Sequence, residues 1–255
     1  MATEVFNRYE CKYIISDKVC RSIKPQLEEY MEVDEHSRNG DFYTICNIYY
    51  DTPDHAMIRK SLDKPVYKEK LRLRSYGVVG PKDKVYLEIK KKYDGIVNKR
   101  RTAILLEDAY RYFNKKDKPE LKPFMNRQVL NEIDYIIQKR SLQPMLYLSY
   151  DRNAMFGMED KSFRITFDTN IRTRRYDIGL DIGNFGELLL SPDMWVMEVK
   201  IENTAPLWFA ELLSAYHIYP ATYSKYGAEY QENILHSKTD NNRLDKNLIT
   251  AQEDL

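Results

Sequence analysis

Arg8, Glu10 and Lys12 stand two residues apart in a segment otherwise built of Tyr9, Cys11 and Tyr13. The same spacing recurs along the chain. Arg72 and Arg74 alternate with Leu71 and Leu73, Glu88 and Lys90 with Leu87 and Ile89, Arg164, Thr166 and Asp168 with Phe163, Ile165 and Phe167, and Glu198 and Lys200 with Met197, Val199 and Ile201. In an extended chain residues i and i+2 leave the same face, so each segment has a charged face and an apolar face. The residue types suggest what the charged faces could bind. Guanidinium forks take phosphate oxygens bidentately, ammonium groups act as point charges, and carboxylates hold a hard divalent cation that bridges phosphates. A phosphate chain is the ligand chemistry that uses all three.

An antiparallel sheet with one wet face produces the same alternation with no function. Two features of the set argue for more than that. The charged positions are mostly Arg, Lys and Glu rather than the Ser, Thr and Gln that share exposed strand faces, and amphipathic helices are numerous enough to cover an apolar outer surface. Crowded cations repel one another unless a polyanion neutralises them, so an enclosed, basic lumen is expected to have a phosphate-rich occupant. For Glu10 and Glu88, a metal or water contact and an internal salt bridge to a neighbouring Lys or Arg are equally consistent with their position.

Other reactive residues are set aside on their spacing. His36, His55, His217 and His236 are scattered without metal-ligand intervals. Asp51, in YYDTPD, fits a helix cap better than a catalytic acid. Of the lysines in the run at 90–92, Lys90 has the phase of the charged face. Cys11, Cys20 and Cys46 show no CxxC pair, which predicts reduced thiols in a cytoplasmic protein.

The elements that must carry these residues can be read from periodicity. Strands are predicted at 4–15, 42–51, 66–75, 84–92, 97–106, 145–152, 162–168, 171–176 and 193–202, with the three at 66–106 forming a meander. Helices are predicted from the Ser16-Asp17 cap to about Tyr30, after Thr52-Pro53-Asp54, at 124–140, and at 205–217 and 223–236. The predicted fold is α+β: a closed antiparallel β-barrel of about eight strands with a charged interior, wrapped by amphipathic helices. No Pro-, Gly- or Ser-rich linker divides the chain, so residues 1–236 read as one domain and the polar 237–255 segment as a tail.

Composition excludes several function classes. Nine glycines and 21 tyrosines, with no GxGxxG or GxxxxGK[ST], disfavour Rossmann and P-loop nucleotide folds. A net charge of +1 provides no global field to recruit nucleic acid. No apolar run approaches the roughly 18 residues of a membrane span, and no secretory signal is present at the N-terminus.

The ordered segments FNRYECKY (6–13), YYDTPD (49–54), KLRLRSYG (70–77), YLEIKKK (86–92), YDRNAMFG (150–157), FRITFDTNIR (163–172), WVMEVKIE (195–202) and SKYG (224–227) resemble the vacuolar transporter chaperone (VTC) catalytic domain, the polyphosphate polymerase branch of the triphosphate tunnel metalloenzyme superfamily. The resemblance spans nearly the whole chain. It implies a tunnel that binds ATP or another triphosphate together with a growing inorganic polyphosphate, lined by Lys12, Arg72, Arg74, Lys90, Arg152, Arg164, Lys200 and Lys225. It implies Mn or Mg held by Glu198, with Glu10 and Glu88 as second candidates. Where the wider superfamily has Glu-x-Glu-x-Lys, this chain has Arg8-Tyr9-Glu10-Cys11-Lys12, a departure towards the polymerase branch. Neither the SPX-type regulatory domain nor the membrane segments of the eukaryotic polymerases is found, which leaves an unidentified membrane or regulatory partner as an expectation. A tunnel-fold triphosphatase and a non-catalytic polyphosphate binder are the alternatives, and Glu198 within EVK speaks against the binder.

Overall fold

The computed structural model describes residues 9–35, 42–94, 96–202 and 204–233. Arg8, His36, His236 and the 237–255 segment lie outside them. In chain order the elements are β1 (Tyr9–Ser16), α1 (Asp17–Leu27), β2 (Met31–Val33), β3 (Tyr43–Asp51), α2 (Ala56–Leu62), β4 (Tyr67–Tyr76), β5 (Lys84–Tyr93), β6 (Ile96–Leu105), α3 (Leu106–Lys115), α4 (Arg127–Lys139), β7 (Gln143–Gly157), β8 (Arg164–Arg174), β9 (Glu187–Leu188), β10 (Met194–Ile201) and α5 (Leu207–Ala215). A last helix, α6, covers 225–233. All strands join one antiparallel sheet in the order β1-β10-β8-β7-β3-β4-β5-β6, with β2 on β7 and β9 on β8.

The apolar face of the sheet packs outward against helices in two clusters. Ile48, Leu71, Leu73, Leu87, Ile89 and Ile104 meet α3 and α4 through Tyr112, Val129, Leu130 and Ile133. Tyr13, Ile15, Ile165, Phe167, Met197 and Val199 meet α1 and α5 through Ile23, Leu27, Phe209 and Leu212. The helices form where sequence chemistry starts them: the Ser16 hydroxyl accepts from Val19 N at 3.3 Å, and the Asn126 side chain accepts from Val129 N at 3.1 Å. Each fully buried Leu or Ile contributes roughly 1.5–3 kcal/mol of transfer free energy before conformational costs. This outer packing is what supports a concave face rich in charge.

A third cluster lies on the concave face and closes one end of it. Ile45, Leu146, Leu148, Ile171 and Val196 gather around Ile58 of α2 and Tyr226 and Tyr230 of α6. The concave face is therefore apolar at one end and charged at the other.

The expected barrel closure is not found. Among the described residues backbone pairing stops at β1 on one side and β6 on the other, so the sheet is curled but open. The physical reason lies at the edges: β6 carries Lys99, Arg100 and Arg101, and lysine- and arginine-bearing edges resist strand addition. Side chains span the gap instead, with Lys90 Nζ of β5 lying 3.4 Å from Glu10 Oε2 of β1.

Three further differences have local causes. Helix α3 was not anticipated, because LEDAYRYFNK follows a strand without a side-chain cap; its N-cap position is Leu105 and makes no such bond. The two strands expected at 162–168 and 171–176 are one strand with a register shift opposite Ser149 and Asp151. Asn170, at φ 47°, sits in the left-handed region that Asn tolerates and absorbs the extra residue. Helix α1 ends at Leu27 rather than near Tyr30.

Candidate functional site

Cross-strand register sets the charged end of the concave face. Glu198 lies opposite Lys12 on one side and Thr166 on the other. Arg72 lies opposite Tyr49 and Glu88, Arg152 opposite Asp168, and Lys90 opposite Lys99. Every described residue expected in the lining reaches this one face.

Three linked groups of ion pairs result. In the first, Arg72 grips Glu88 Oε2 through Nε at 2.8 Å and Nη2 at 2.7 Å, Lys99 Nζ takes Glu88 Oε1 at 3.1 Å, and Arg74 donates to Asn47 Oδ1 at 2.9 Å and to the Tyr150 hydroxyl at 3.2 Å. In the second, Arg152 makes a bidentate pair with Asp168 at 2.6 and 2.8 Å, and Lys225 of α6 adds a bond to the same carboxylate at 2.6 Å. Tyr150 joins the two groups, since Arg152 and Lys225 both lie over its ring, at 5.1 and 4.6 Å. In the third, Glu198 lies 3.9 Å from Lys12 and 3.5 Å from Lys200, and Glu10 lies 3.2 Å from Lys12.

The carboxylates are held ionised by these partners. Burial raises the Glu198 carboxyl, but Lys12, Lys200, Arg152 and Lys225 together pull it far below the usual carboxylate range. Glu88 is likewise raised by burial and pulled down to about 2 by Arg72, Arg74 and Lys99. Asp168 is lowered by Arg152 and Lys225 against its burial. Burial, with Lys12, Lys90 and Lys68 acting in the same direction, brings the Lys70 amine down to about 8. The Tyr49 hydroxyl, raised by burial, is drawn down to about 8 by Arg72, Lys70 and Arg74.

Three buried polar atoms of the site have no hydrogen-bond partner: Glu88 Oε1, which is only ion-paired with Lys99, and Arg164 Nε and Thr166 Oγ1, which are not. Arg164 lies over the Phe156 ring at 4.7 Å, and its polar contacts are long, 3.5 Å to the Tyr43 hydroxyl and 3.6 Å to Asp34 Oδ2. A buried donor and acceptor of this kind are costly unless a ligand satisfies them.

The donor set can be tested against the divalent cation. Among the described residues no group of three or more His, Cys, Asp or Glu side chains gathers in one place. Glu198, with the orphaned Thr166 hydroxyl opposite it and Glu10 one diagonal away, is an all-oxygen set with few protein ligands. That suits Mg or Mn, which take one or two carboxylates and complete their shell with water and substrate phosphates. Glu88 fits less well, because Arg72 and Lys99 occupy both its oxygens.

Residues not singled out from sequence also line the site. Lys70, whose amine donates to Ser224 Oγ at 2.8 Å, has the phase of Arg72 and Arg74, so the alternation signal was present. Lys99 and Arg101 were masked by the run Lys99-Arg100-Arg101, which lacks an apolar alternate. Tyr49 and Tyr150 read as ordinary strand formers, and their contacts with arginine depend on strand pairing. Asp51 behaves as the expected cap: its carboxylate accepts from Thr52 N, Met57 N and Ile58 N and from the Tyr226 hydroxyl.

Comparison with known proteins places this geometry. A family model described as the VTC domain matches residues 7–233. The chain is 25% identical over 255 residues to vacuolar transporter chaperone complex subunit 4 of Schizosaccharomyces pombe, covering 83% of this chain and 35% of that protein. It is 26% identical over 263 residues to the subunit of the same name from Trypanosoma cruzi, covering 84% of this chain and 32% of that protein. The chain thus spans about a third of the length of these curated relatives. Among solved structures, a Bacillus halodurans protein described as a candidate adenylate cyclase superposes with a TM-score of 0.53 at 16% identity, covering 88% of this chain and 96% of that one. That likeness is one of fold.

Proposed function

Since the chain belongs to the VTC-domain family, of the tunnel fold, we propose that it is a polyphosphate polymerase that transfers the γ-phosphate of ATP to a growing inorganic polyphosphate held in the basic tunnel. The observation that carries this reading is the surplus of cations over carboxylates on one concave face, with Arg164 Nε and Thr166 Oγ1 left unpartnered. A polyanion completes such a site.

Phosphoryl transfer requires in-line placement and charge neutralisation more than covalent help from the protein. Arg72, Arg74, Arg152 and Arg164 hold non-bridging oxygens of donor and acceptor, while Lys12, Lys90, Lys200 and Lys225, with Lys70 and Lys99, spread positive charge along the chain. Glu88 and Asp168 keep Arg72 and Arg152 in place before the ligand arrives. Mn or Mg, held by Glu198 with Glu10 nearby, would supply charge neutralisation at the donor phosphates. An oxygen of the polymer's terminal phosphate attacks the γ-phosphorus, and the bond to the bridging oxygen of the β-phosphate breaks, releasing ADP. The attacking oxygen is already ionised, so no general base is needed.

The experiment is incubation of purified protein with ATP and Mn, with long polymer resolved from free phosphate. Polymer and ADP in step support the proposal. Free phosphate without polymer would mean that water is the acceptor and the protein a triphosphatase, and neither product with retained polyphosphate binding would mean a binding module.

A further inference from the structure

Along β3, β4 and β5 the charged lining of the concave face gives way to aromatic rings, which form its mouth. Tyr76 follows Arg74 by two residues on β4 and shares its face; Tyr86 of β5 lies opposite Arg74, and Tyr43 of β3 lies on the far side of Tyr76. The ring centroids are 6.3 Å apart for Tyr43 and Tyr76, tilted by 45°, and 5.8 Å apart for Tyr76 and Tyr86, edge to face at 82°. The Arg101 guanidinium lies 4.7 Å from the centre of the Tyr86 ring. Tyr76 is 50% exposed and belongs to none of the three apolar clusters.

From these contacts we infer that the Tyr43, Tyr76, Tyr86 and Arg101 mouth is a stacking subsite for the nucleobase of a nucleoside triphosphate, with Tyr76 as its central ring. The inference rests on the proposed use of the tunnel for triphosphates and specifies which end receives the donor. None of the three tyrosines is stacked face to face with another, so their π-faces are not consumed by one another, and tyrosine and arginine planes are the side chains on which bases stack. The spacing also fits. Residues at i and i+2 are about 6.6 Å apart along a strand, so a base on Tyr76 places its ribose and first phosphates towards Arg74 and the rest towards Arg72 and Glu88-bound Lys99. Stacking without base-edge hydrogen bonds is tolerant of base identity, so ATP and GTP should use the mouth alike. An inorganic phosphate chain has no π-face and gains nothing from these rings.

The test is equilibrium binding of ATP, GTP and inorganic tripolyphosphate, at one fixed Mn concentration, to wild type, Tyr76→Ala and Tyr76→Phe, with a thermal melt of each protein. Tyr76→Ala is expected to weaken ATP and GTP by about 5-fold or more while tripolyphosphate stays within about 2-fold, and Tyr76→Phe to bind all three as wild type does. Equal losses for tripolyphosphate and the nucleotides would overturn the inference, because Tyr76 would then only shape the tunnel. Unchanged binding of all three ligands by Tyr76→Ala would overturn it as well. In either case tripolyphosphate binding by wild type leaves the proposed function standing. A wild type that binds neither tripolyphosphate nor ATP would overturn both.

Discussion

Glu198 is the residue on which charge control of the concave face turns, because Lys12, Lys200, Arg152 and Lys225 all act on its carboxylate. Glu198→Gln keeps its size and removes the charge, so Mn-dependent turnover is expected to fall by about 100-fold or more, with a cooperative melt retained. Turnover within a few-fold of wild type would remove Glu198 from the reaction. A second residue-scale prediction concerns Lys70, which faces Tyr49, Lys12, Lys90 and Lys68. Its amine, at about 8 in the fold against 10.5 unperturbed, and Tyr49, at about 8 against 10.0, are both depressed. Between those values the unfolded chain binds more protons, so these groups make the ligand-free protein more stable as pH rises from about 7.5 to 9.5. Lys70→Met removes one contribution and weakens the other, since Lys70 is among the groups lowering Tyr49. Urea unfolding at the two pH values is therefore expected to show a smaller gain for the variant; an equal gain would mean that Lys70 is not the source.

At the scale of elements, α2 and α6 are tied to the end of β3 through one carboxylate. Asp51 is fully buried and accepts from two amides of α2 as well as from the Tyr226 hydroxyl of α6. Asp51→Ala leaves these donors buried and unpaired, and is expected to cost about 2 kcal/mol or more in urea unfolding. A loss below about 0.5 kcal/mol, the range of an ordinary surface change, would show that water replaces the cap. The bulge at Asn170 has a comparable organising role. Before it, β8 turns Arg164, Thr166 and Asp168 to the concave face, and after it Ile171 takes that face within the apolar plug. If the same residues ran on as a regular strand with no bulge, the alternation would continue unbroken and Ile171 would leave the plug.

For the whole molecule, a net charge of +1 conceals a concave face in which cations outnumber carboxylates. The ligand-free fold manages them unequally, and this separates two arginines of like type. Arg72 brings two nitrogens to one oxygen of Glu88, which is 1% exposed, whereas Arg164 has long polar contacts and an unpartnered Nε. Arg72→Ala is expected to lower ligand-free stability by about 2–3 kcal/mol by exposing Glu88 to burial with weaker pairing. Arg164→Ala is expected to leave ligand-free stability within about 0.5 kcal/mol, yet to reduce the rise in Tm produced by tripolyphosphate. Melting curves of the two variants with and without tripolyphosphate make the comparison. A tripolyphosphate shift for Arg164→Ala equal to that of wild type would exclude it from phosphate binding.

The period-two placement of charge was legible because it is a property of single strands. Arg72, Arg74, Glu88, Lys90, Arg164, Glu198 and Lys200 could be assigned to one kind of face from their neighbours in sequence alone, and the caps at Ser16 and Asp51 from side-chain chemistry close to the helix they start. Resemblance supplied Arg152 and Lys225, which sit in no alternating charged run. Only the tertiary structure decided which charges pair, that Glu88 is given over to Arg72 and Lys99, that Lys70, Lys99, Tyr49 and Tyr150 join the lining, and that among the described residues the curled sheet stays open between β1 and β6. These depend on cross-strand register and on sheet curvature, which bring together residues such as Glu10 and Lys90, separated by most of the first third of the chain. Local alternation fixes the face a side chain takes; its neighbour across the concave face is set by how far the twisted sheet coils before its charged edges stop it.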